Sequence, residues 1–203
     1  MDTVVVPPAR LARWVDNFTT RHGTTDLTVS EGALAGAAAD GSTFVAALPY
    51  SRVFDGPPLV EAFLGACEPP EDWGVLLVRK GGFAVARLAG PVTTASKTGQ
   101  RHVQGRTKAG GQSQQRFARR RDNQARAAYE AAADHAARLI AGAACVVVGG
   151  DRSAVTEVLE DSRLRGLSER VAGPFLSVPD PRRSVLEAAV DEASSVTMSI
   201  VNS

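Results

Sequence analysis

Apolar positions along the first seventy residues predict two helices and two strands. They recur at helical spacing over residues 8–22, which is typical of an amphipathic helix with one buried face. Residues 26–30 and 42–48 have the pattern of short strands, and we expect the Gly- and Ala-rich residues between them to form a connection. A second, shorter helix is predicted between residues 55 and 68, before a pair of prolines.

A β-hairpin is predicted where two apolar runs, residues 73–78 and 83–88, flank an Arg-Lys-Gly-Gly turn sequence. Residues 92–96 would add a third strand to this antiparallel meander. Residues 97–112 then contain four glycines, and their only large apolar residue is Val103. They therefore do not belong to a core, and a long loop without structure of its own inside a compact domain is usually functional.

The chain downstream of this loop predicts one long helix, from residue 113 to about residue 141. It carries eight alanines between residues 125 and 137, and no Gly or Pro interrupts it before Gly142. At 1.5 Å per residue such a helix is about 40 Å long. The rest of the chain predicts alternating strands and helices, followed by a low-complexity tail of about ten residues. These predicted elements are strands at residues 144–148 and 170–176 and helices at residues 153–160 and 182–193.

This succession of elements predicts a mixed α/β (α+β) fold, and a chain of 203 residues is long enough for one large domain or two small ones. The two prolines at positions 69 and 70 form the candidate boundary. We expect residues 1–70 to form a helix-and-strand extension that packs on the core, and residues 71–203 to form the principal domain. One continuous domain is the alternative.

Charge is distributed unevenly along the chain. Residues 97–126 carry nine Lys and Arg against a single acid, Asp122, and this net charge of +8 leaves −7 for the rest of a chain whose formal charge is +1. A solvated helix face would intersperse Glu with Arg at i,i+4 spacing. A basic element on an acidic body instead indicates a focused contact with phosphates, and RNA is the expected partner.

Other common kinds of site lack their sequence signals. The three histidines are not spaced as metal ligands, and no GxSxG elbow is present, so neither a metal nor a cofactor is expected. Gly149-Gly150-Asp151 lacks the Lys-Ser/Thr of a phosphate loop, which favours a plain strand-to-helix turn capped by Asp151 or Ser153. Because no signal peptide and no bilayer-spanning apolar run are found, we expect a cytoplasmic protein with no membrane or DNA partner.

The basic loop contains the most specific motif of the chain. Gly110-Gly111-Gln112 follows Gly105-Arg106 and leads into Arg116-Phe117-Ala118-Arg119 on the long helix. This context resembles the tip of the central, GGQ domain of eukaryotic and archaeal class-one translation release factors. The resemblance covers residues 73–176. The chain is more similar still to the actinobacterial Vms-like release factors, relatives of the ribosome quality-control enzyme that frees stalled nascent chains from tRNA.

The resemblance implies a release-factor-type catalytic domain with a ribonuclease-H-like mixed sheet, packed helices and the long helix after the GGQ loop. It implies a peptidyl-tRNA hydrolase that releases nascent chains on stalled or split ribosomes. Its partners would be peptidyl-tRNA and the peptidyl-transferase centre of the large ribosomal subunit. Catalysis is assigned by resemblance to Gln112, Gly110 and Gly111, with Gln112 positioning the attacking water. RNA contacts are assigned to Arg101, Arg106, Lys108, Arg116, Arg119 and Arg120.

Two departures from the family pattern bear on this function. No Asn-Ile-Lys-Ser loop and no separate codon-reading domain are found, so termination directed by a stop codon is not supported. Gly111 stands where the eukaryotic quality-control relative has Ser. Two alternatives stay open: a nuclease that cuts the CCA end of the tRNA instead of the ester, and a non-catalytic module that binds the ribosome or another RNA.

Overall fold

The computed structural model describes residues 1–100 and 112–203, and it describes side chains for residues 1–100 and 125–203. The chain separates into two compact units. The first comprises Met1–Pro69 and Asp191–Ser203, and the second comprises Pro70–Val190. The predicted division into domains at residues 70 and 71 stays a prediction.

The mixed α+β class is confirmed, because both units combine antiparallel strands with helices. The strands are β1 (Asp2–Val6), β2 (Thr25–Ser30), β3 (Ala33–Ala38), β4 (Thr43–Ala47), β5 (Trp73–Arg79), β6 (Gly82–Ala89), β7 (Val92–Gln100), β8 (Cys145–Gly150) and β9 (Val196–Val201). The α-helices are α1 (Pro8–His22), α2 (Val60–Ala66), α3 (Gln112–Leu139), α4 (Arg152–Leu159) and α5 (Arg183–Ala193).

The first unit is built on a five-stranded antiparallel sheet with the strand order β1-β9-β4-β3-β2. Its core joins the apolar face of α1 and one face of the sheet with α2, through aromatic side chains that include Phe18, Phe44 and Phe63. Two predictions for this unit are wrong. The Gly- and Ala-rich connection contains strand β3, and the expected tail contains strand β9, which pairs with β1 and β4.

The second unit is built on a mixed four-stranded sheet with the order β7-β6-β5-β8. The predicted hairpin is confirmed as β5 and β6, and β8 pairs with β5 in parallel. All residues of β5 before Arg79 are buried, which is expected of a strand covered on both faces. One face of the sheet packs against α3 and α4, so the long helix is anchored on a core of aliphatic and alanine side chains.

Two further predictions for the second unit need correction. Residues 170–176 do not form a strand. They make only the isolated bridges Val146–Val171 and Gly149–Leu176, because Gly173 and the donor-free Pro174 interrupt the ladder. Strand β7 is longer than predicted, since it continues to Gln100.

Candidate functional site

The structure places part of the predicted site at the start of α3. Gln112 is the first residue of this helix, and the backbone of residues 116, 119 and 120 lies in its following turns. Their side chains lie outside the described part of the chain. The other predicted site residues also lie outside the described residues; they are Arg101, Arg106, Lys108, Gly110 and Gly111. The roles assigned to all of these residues stay predictions.

Helix α3 lies close to the sheet because the side chains between them are small. Ala128, Ala132 and Ala136 are buried against β5 and β6, whose contribution to the same core includes Leu76 and Val85. Gly74 serves the same purpose at the far end of the helix, because a Cβ there would lie 2.7 Å from Cγ2 of Ile140. This close packing fixes the helix on the sheet over its second half.

Two arginines donate to carbonyl groups at and just after the C-terminal end of α3. Arg87 donates from Nη1 to the Leu139 carbonyl at 3.0 Å, while Nε and Nη2 form a bidentate pair with the Asp72 carboxylate at 2.8 and 2.7 Å. Arg170 donates to the carbonyls of Ala141 and Ala143 at 3.0 and 2.6 Å. Cations at this position satisfy carbonyls that lack helical partners and favour the negative end of the helix dipole.

A second set of hydrogen bonds links α3 to the 3₁₀-helix Ser162–Leu164, which follows α4. Arg163 donates to Asp134 of α3 at 2.6 Å and makes a bidentate contact with Asp161 at 2.9 and 2.7 Å. These hydrogen bonds from Arg163 lower the pKa of Asp161 to about 2, and the two carboxylates raise the pKa of Arg163. Asp161 and Arg163 are therefore both charged near neutral pH.

The distance of Gln112 from the core contacts of α3 can be read along the helix. The described core contacts of α3 begin at Ala125, and Gln112 lies thirteen residues earlier in the same helix. At 1.5 Å per residue, Gln112 lies about 20 Å along the helix from Ala125. The candidate catalytic residue is thus at the N-terminal end of α3, opposite the end that Arg87 contacts.

The strand that leads into the basic loop is packed against the same helix. Gly99 of β7 lies opposite Phe83 of β6, and a Cβ on Gly99 would come 2.4 Å from the Phe83 ring. The same aromatic ring stacks on His135 of α3, with ring centroids 5.4 Å apart and planes 25° apart. Sequence reasoning missed this stack, although Phe83 and the helical position of His135 were both visible.

The Gly149-Gly150-Asp151 segment forms the expected strand-to-helix turn between β8 and α4. Gly150 has φ of +105°, and a Cβ there would lie 2.1 Å from the Val78 carbonyl oxygen, so glycine is required. The predicted side-chain cap is not made by Asp151. Its carboxylate instead accepts from the Lys80 backbone N–H at 3.4 Å and lies 3.6 Å from Arg79 Nε. The segment thus connects β8 to α4 and contacts the end of β5, the strand that runs parallel to β8.

The described residues offer no group of His, Cys, Asp and Glu side chains able to hold a metal ion. Burial raises the pKa of the Cys67 thiol to about 11, which leaves it unreactive near neutral pH. Within the same described ranges, no helix is long and apolar enough to cross a membrane.

Comparison with known proteins decides the family. The model of the Actinobacteria/chloroflexi VLRF1 release factors matches residues 71–199, which is more than half of the chain. The chain belongs to this family. The predicted kinship with the actinobacterial Vms-like release factors is therefore confirmed, and the match runs from β5 to α5, with the whole of α3, and ends within β9.

Solved structures of two archaeal proteins are similar to the chain at low sequence identity. The archaeal translation termination factor aRF1 is 14% identical, with a TM-score of 0.47, over 94% of this chain and 63% of its own. Pelota of Archaeoglobus fulgidus is 10% identical, with a TM-score of 0.30, over 95% of this chain and 63% of its own. The chain thus spans less than two thirds of either protein. No curated protein sequence matches it.

Proposed function

We propose that this release-factor family member is a peptidyl-tRNA hydrolase that frees nascent chains from tRNA on stalled or split ribosomes. The observation that carries the proposal is the position of Gln112 at the N-terminal end of the long helix α3, about 20 Å along it from Ala125, which packs on the core. A catalytic group carried on such a rod suits a reaction centre enclosed by RNA, such as the peptidyl-transferase centre of the large subunit. The glycines before it leave the backbone free of side chains near the ester.

The chemistry asked of Gln112 is positioning and electrostatic stabilisation. A carboxamide has no pKa near neutrality, so it does not act as a general base. Its carbonyl oxygen accepts a hydrogen bond from the attacking water, and its NH₂ group donates to developing negative charge. The first four N–H groups of an α-helix lack intrahelical partners, and in α3 they begin with Gln112. They supply a positive end towards the oxyanion or the leaving 3′ oxygen.

Basic residues of the loop and of the first turns of α3 would hold the RNA. Their contacts to phosphates of rRNA or of the tRNA acceptor stem need no base recognition, and the scarcity of acids among them favours phosphate binding. The assigned residues are Arg101, Arg106, Lys108, Arg116, Arg119 and Arg120. Proton transfer is left to hydroxyl groups of the substrate or to groups of the ribosome.

The test is a single-turnover release assay on purified large subunits that carry labelled peptidyl-tRNA. We expect Gln112→Ala to lower the release rate by at least about 100-fold, as removal of a positioned transition-state donor does. Gln124→Ala, the same substitution further along α3, is the matched control and should release normally. Equal rates for wild type and Gln112→Ala would refute the proposal, provided that circular dichroism shows both proteins folded.

The same assay separates the two alternatives by the tRNA product. An intact CCA end supports ester hydrolysis, whereas a shortened 3′ end supports the nuclease. A non-catalytic module would release no peptide at all, and its binding to ribosomes would be weakened by Arg119→Ala with Arg120→Ala.

A further inference from the structure

A cluster of basic side chains lies on the second half of α3, where the helix borders strand β7. Lys97 of β7 pairs with Val85, which is buried beneath α3, so the lysine is on the helix side of the sheet. His135 and Arg138 face it from the helix and lie in contact, with Arg138 Nη2 3.1 Å from His135 Nδ1. We call Lys97, His135 and Arg138 the basal cluster.

The basal cluster has an excess of positive charge. No ion pair among the described residues involves Lys97 or Arg138, and both are exposed. The nearest acid on the helix, Asp134, is engaged by Arg163 at 2.6 Å. Burial lowers the pKa of His135, and the charges of Arg138 and Lys97 lower it further against a smaller opposing effect of Asp134. The imidazole is thus neutral at pH 7 and lies in a positive field.

The hydrogen-bond geometry leaves one donor of His135 for a ligand. Because Arg138 donates to Nδ1, the proton of the neutral ring is on Nε2. Stacking on Phe83 holds the plane of the ring. Arg138 and the Nε2–H group of His135 therefore offer a charge and an oriented neutral donor side by side, and the charge of Lys97 is close enough to act on the same ring. This combination suits the oxygens of a phosphate.

The basal cluster lies far from the Gly-Gly-Gln sequence. His135 follows Gln112 by 23 residues of one helix, a distance of about 35 Å. Lys97 is nevertheless in the strand that leads directly into the basic loop. Lys97 precedes Arg101, the first basic residue of the loop, by four residues in the sequence.

We propose that Lys97, His135 and Arg138 form a second RNA contact, which binds backbone phosphates about 35 Å from the reaction centre. The inference rests on the proposed function and extends it from one end of α3 to the other. Two contacts so far apart define the direction of the helix on the RNA, which a single contact at the loop does not. The contact is to phosphate and carries no sequence preference.

The first experiment measures the salt dependence of binding to purified large ribosomal subunits. Removing one cation that neutralises a phosphate reduces the slope of log K against log salt by about 0.7 to 0.9. We expect Lys97→Gln with Arg138→Gln to reduce the slope by about 1.5. The control is Arg10→Gln with Arg13→Gln, two exposed arginines of α1 that form no ion pair with described residues. An equal slope for this control and for the cluster variant would overturn the proposal.

The second experiment uses His135 as a reporter, with its NMR resonance identified by its disappearance in His135→Asn. Binding of a short RNA hairpin should raise the pKa of His135, because phosphate favours the charged imidazole. Lys97→Gln should raise it without RNA. A structural role alone predicts no response to RNA, so an unchanged pKa in the bound protein would contradict the proposal. Gln112→Ala should leave both readouts unchanged, which separates failure of this inference from failure of the hydrolase assignment.

Discussion

Replacement of Phe83 by Ala tests how firmly the start of the basic loop is joined to α3. The Phe83 ring is 4% exposed, Gly99 is fitted against one side of it, and His135 stacks on it. Deleting a buried phenyl group costs about 3 to 5 kcal/mol, because apolar burial is removed and a cavity remains. The stack itself is worth about 1 kcal/mol of that sum. We therefore expect Phe83→Ala to lower the free energy of unfolding by about 4 kcal/mol.

The assay is urea denaturation followed by far-UV circular dichroism, with Phe175→Ala as the matched control. Phe175 is half-buried and lies beneath the Arg152 guanidinium, 4.2 Å from its ring centroid, so its removal should cost about half as much. The His135 pKa gives an independent readout. Burial is the largest cause of its lowering, and removal of the ring admits water, so the pKa should rise. A cost below about 1 kcal/mol for Phe83→Ala, or an unchanged His135 pKa, would refute this account of the junction.

Two further predictions concern the Arg163 cluster beside α3 and the turn before α4. Asp161 has a pKa lowered to about 2, so its stabilising contribution is complete above its ordinary pKa of 3.8 and is lost as pH falls towards 2. Acid denaturation of Asp161→Asn should lack that part of the pH dependence, and an unchanged acid transition would count against the Arg163 cluster. Gly150→Ala should lower stability by more than about 1 kcal/mol, since φ is +105° and a Cβ would meet the Val78 carbonyl at 2.1 Å. Thermal unfolding checks it, with Gly65→Ala as the comparison. A Cβ there meets nothing within 4 Å, and because Gly65 lies inside α2 the change should be neutral or slightly stabilising.

Strands β3 and β9 of the first unit were the hardest to predict, because each depends on strands that are distant in the sequence or on both of its sides. Strand β3 consists of Ala, Leu and Gly, residues with weak strand preference, and it becomes a strand because β2 and β4 pair with it on both sides. Its Gly36 is required by packing, since a Cβ would lie 2.3 Å from the Phe44 ring. Strand β9 pairs with β1 across nearly the whole chain. The local sequence of β3 or of β9 does not show which strands will pair with it.

Helical and hairpin elements were predictable because their signals are local. The periodicity that places α3 at residues 113–141 differs from the observed Gln112–Leu139 by one or two residues at each end. The position of Gln112 at the start of that helix is likewise visible in the sequence. The basal cluster is not, because Lys97 and His135 are 38 residues apart in the chain and meet only when α3 packs on the sheet.

Because α3 is long, the angle at which it packs on the sheet determines where Gln112 lies. A tilt of about 5° at Ala125 moves a point about 20 Å along the helix by about 2 Å. An error of about 1 Å at a reacting group can reduce a rate about 100-fold. The buried alanines at 132 and 136 touch no substrate in the proposed reaction, yet their volume sets the angle at which Gln112 arrives. In this protein, the core substitutions that can be tolerated beneath α3 are therefore limited by how far each one displaces Gln112.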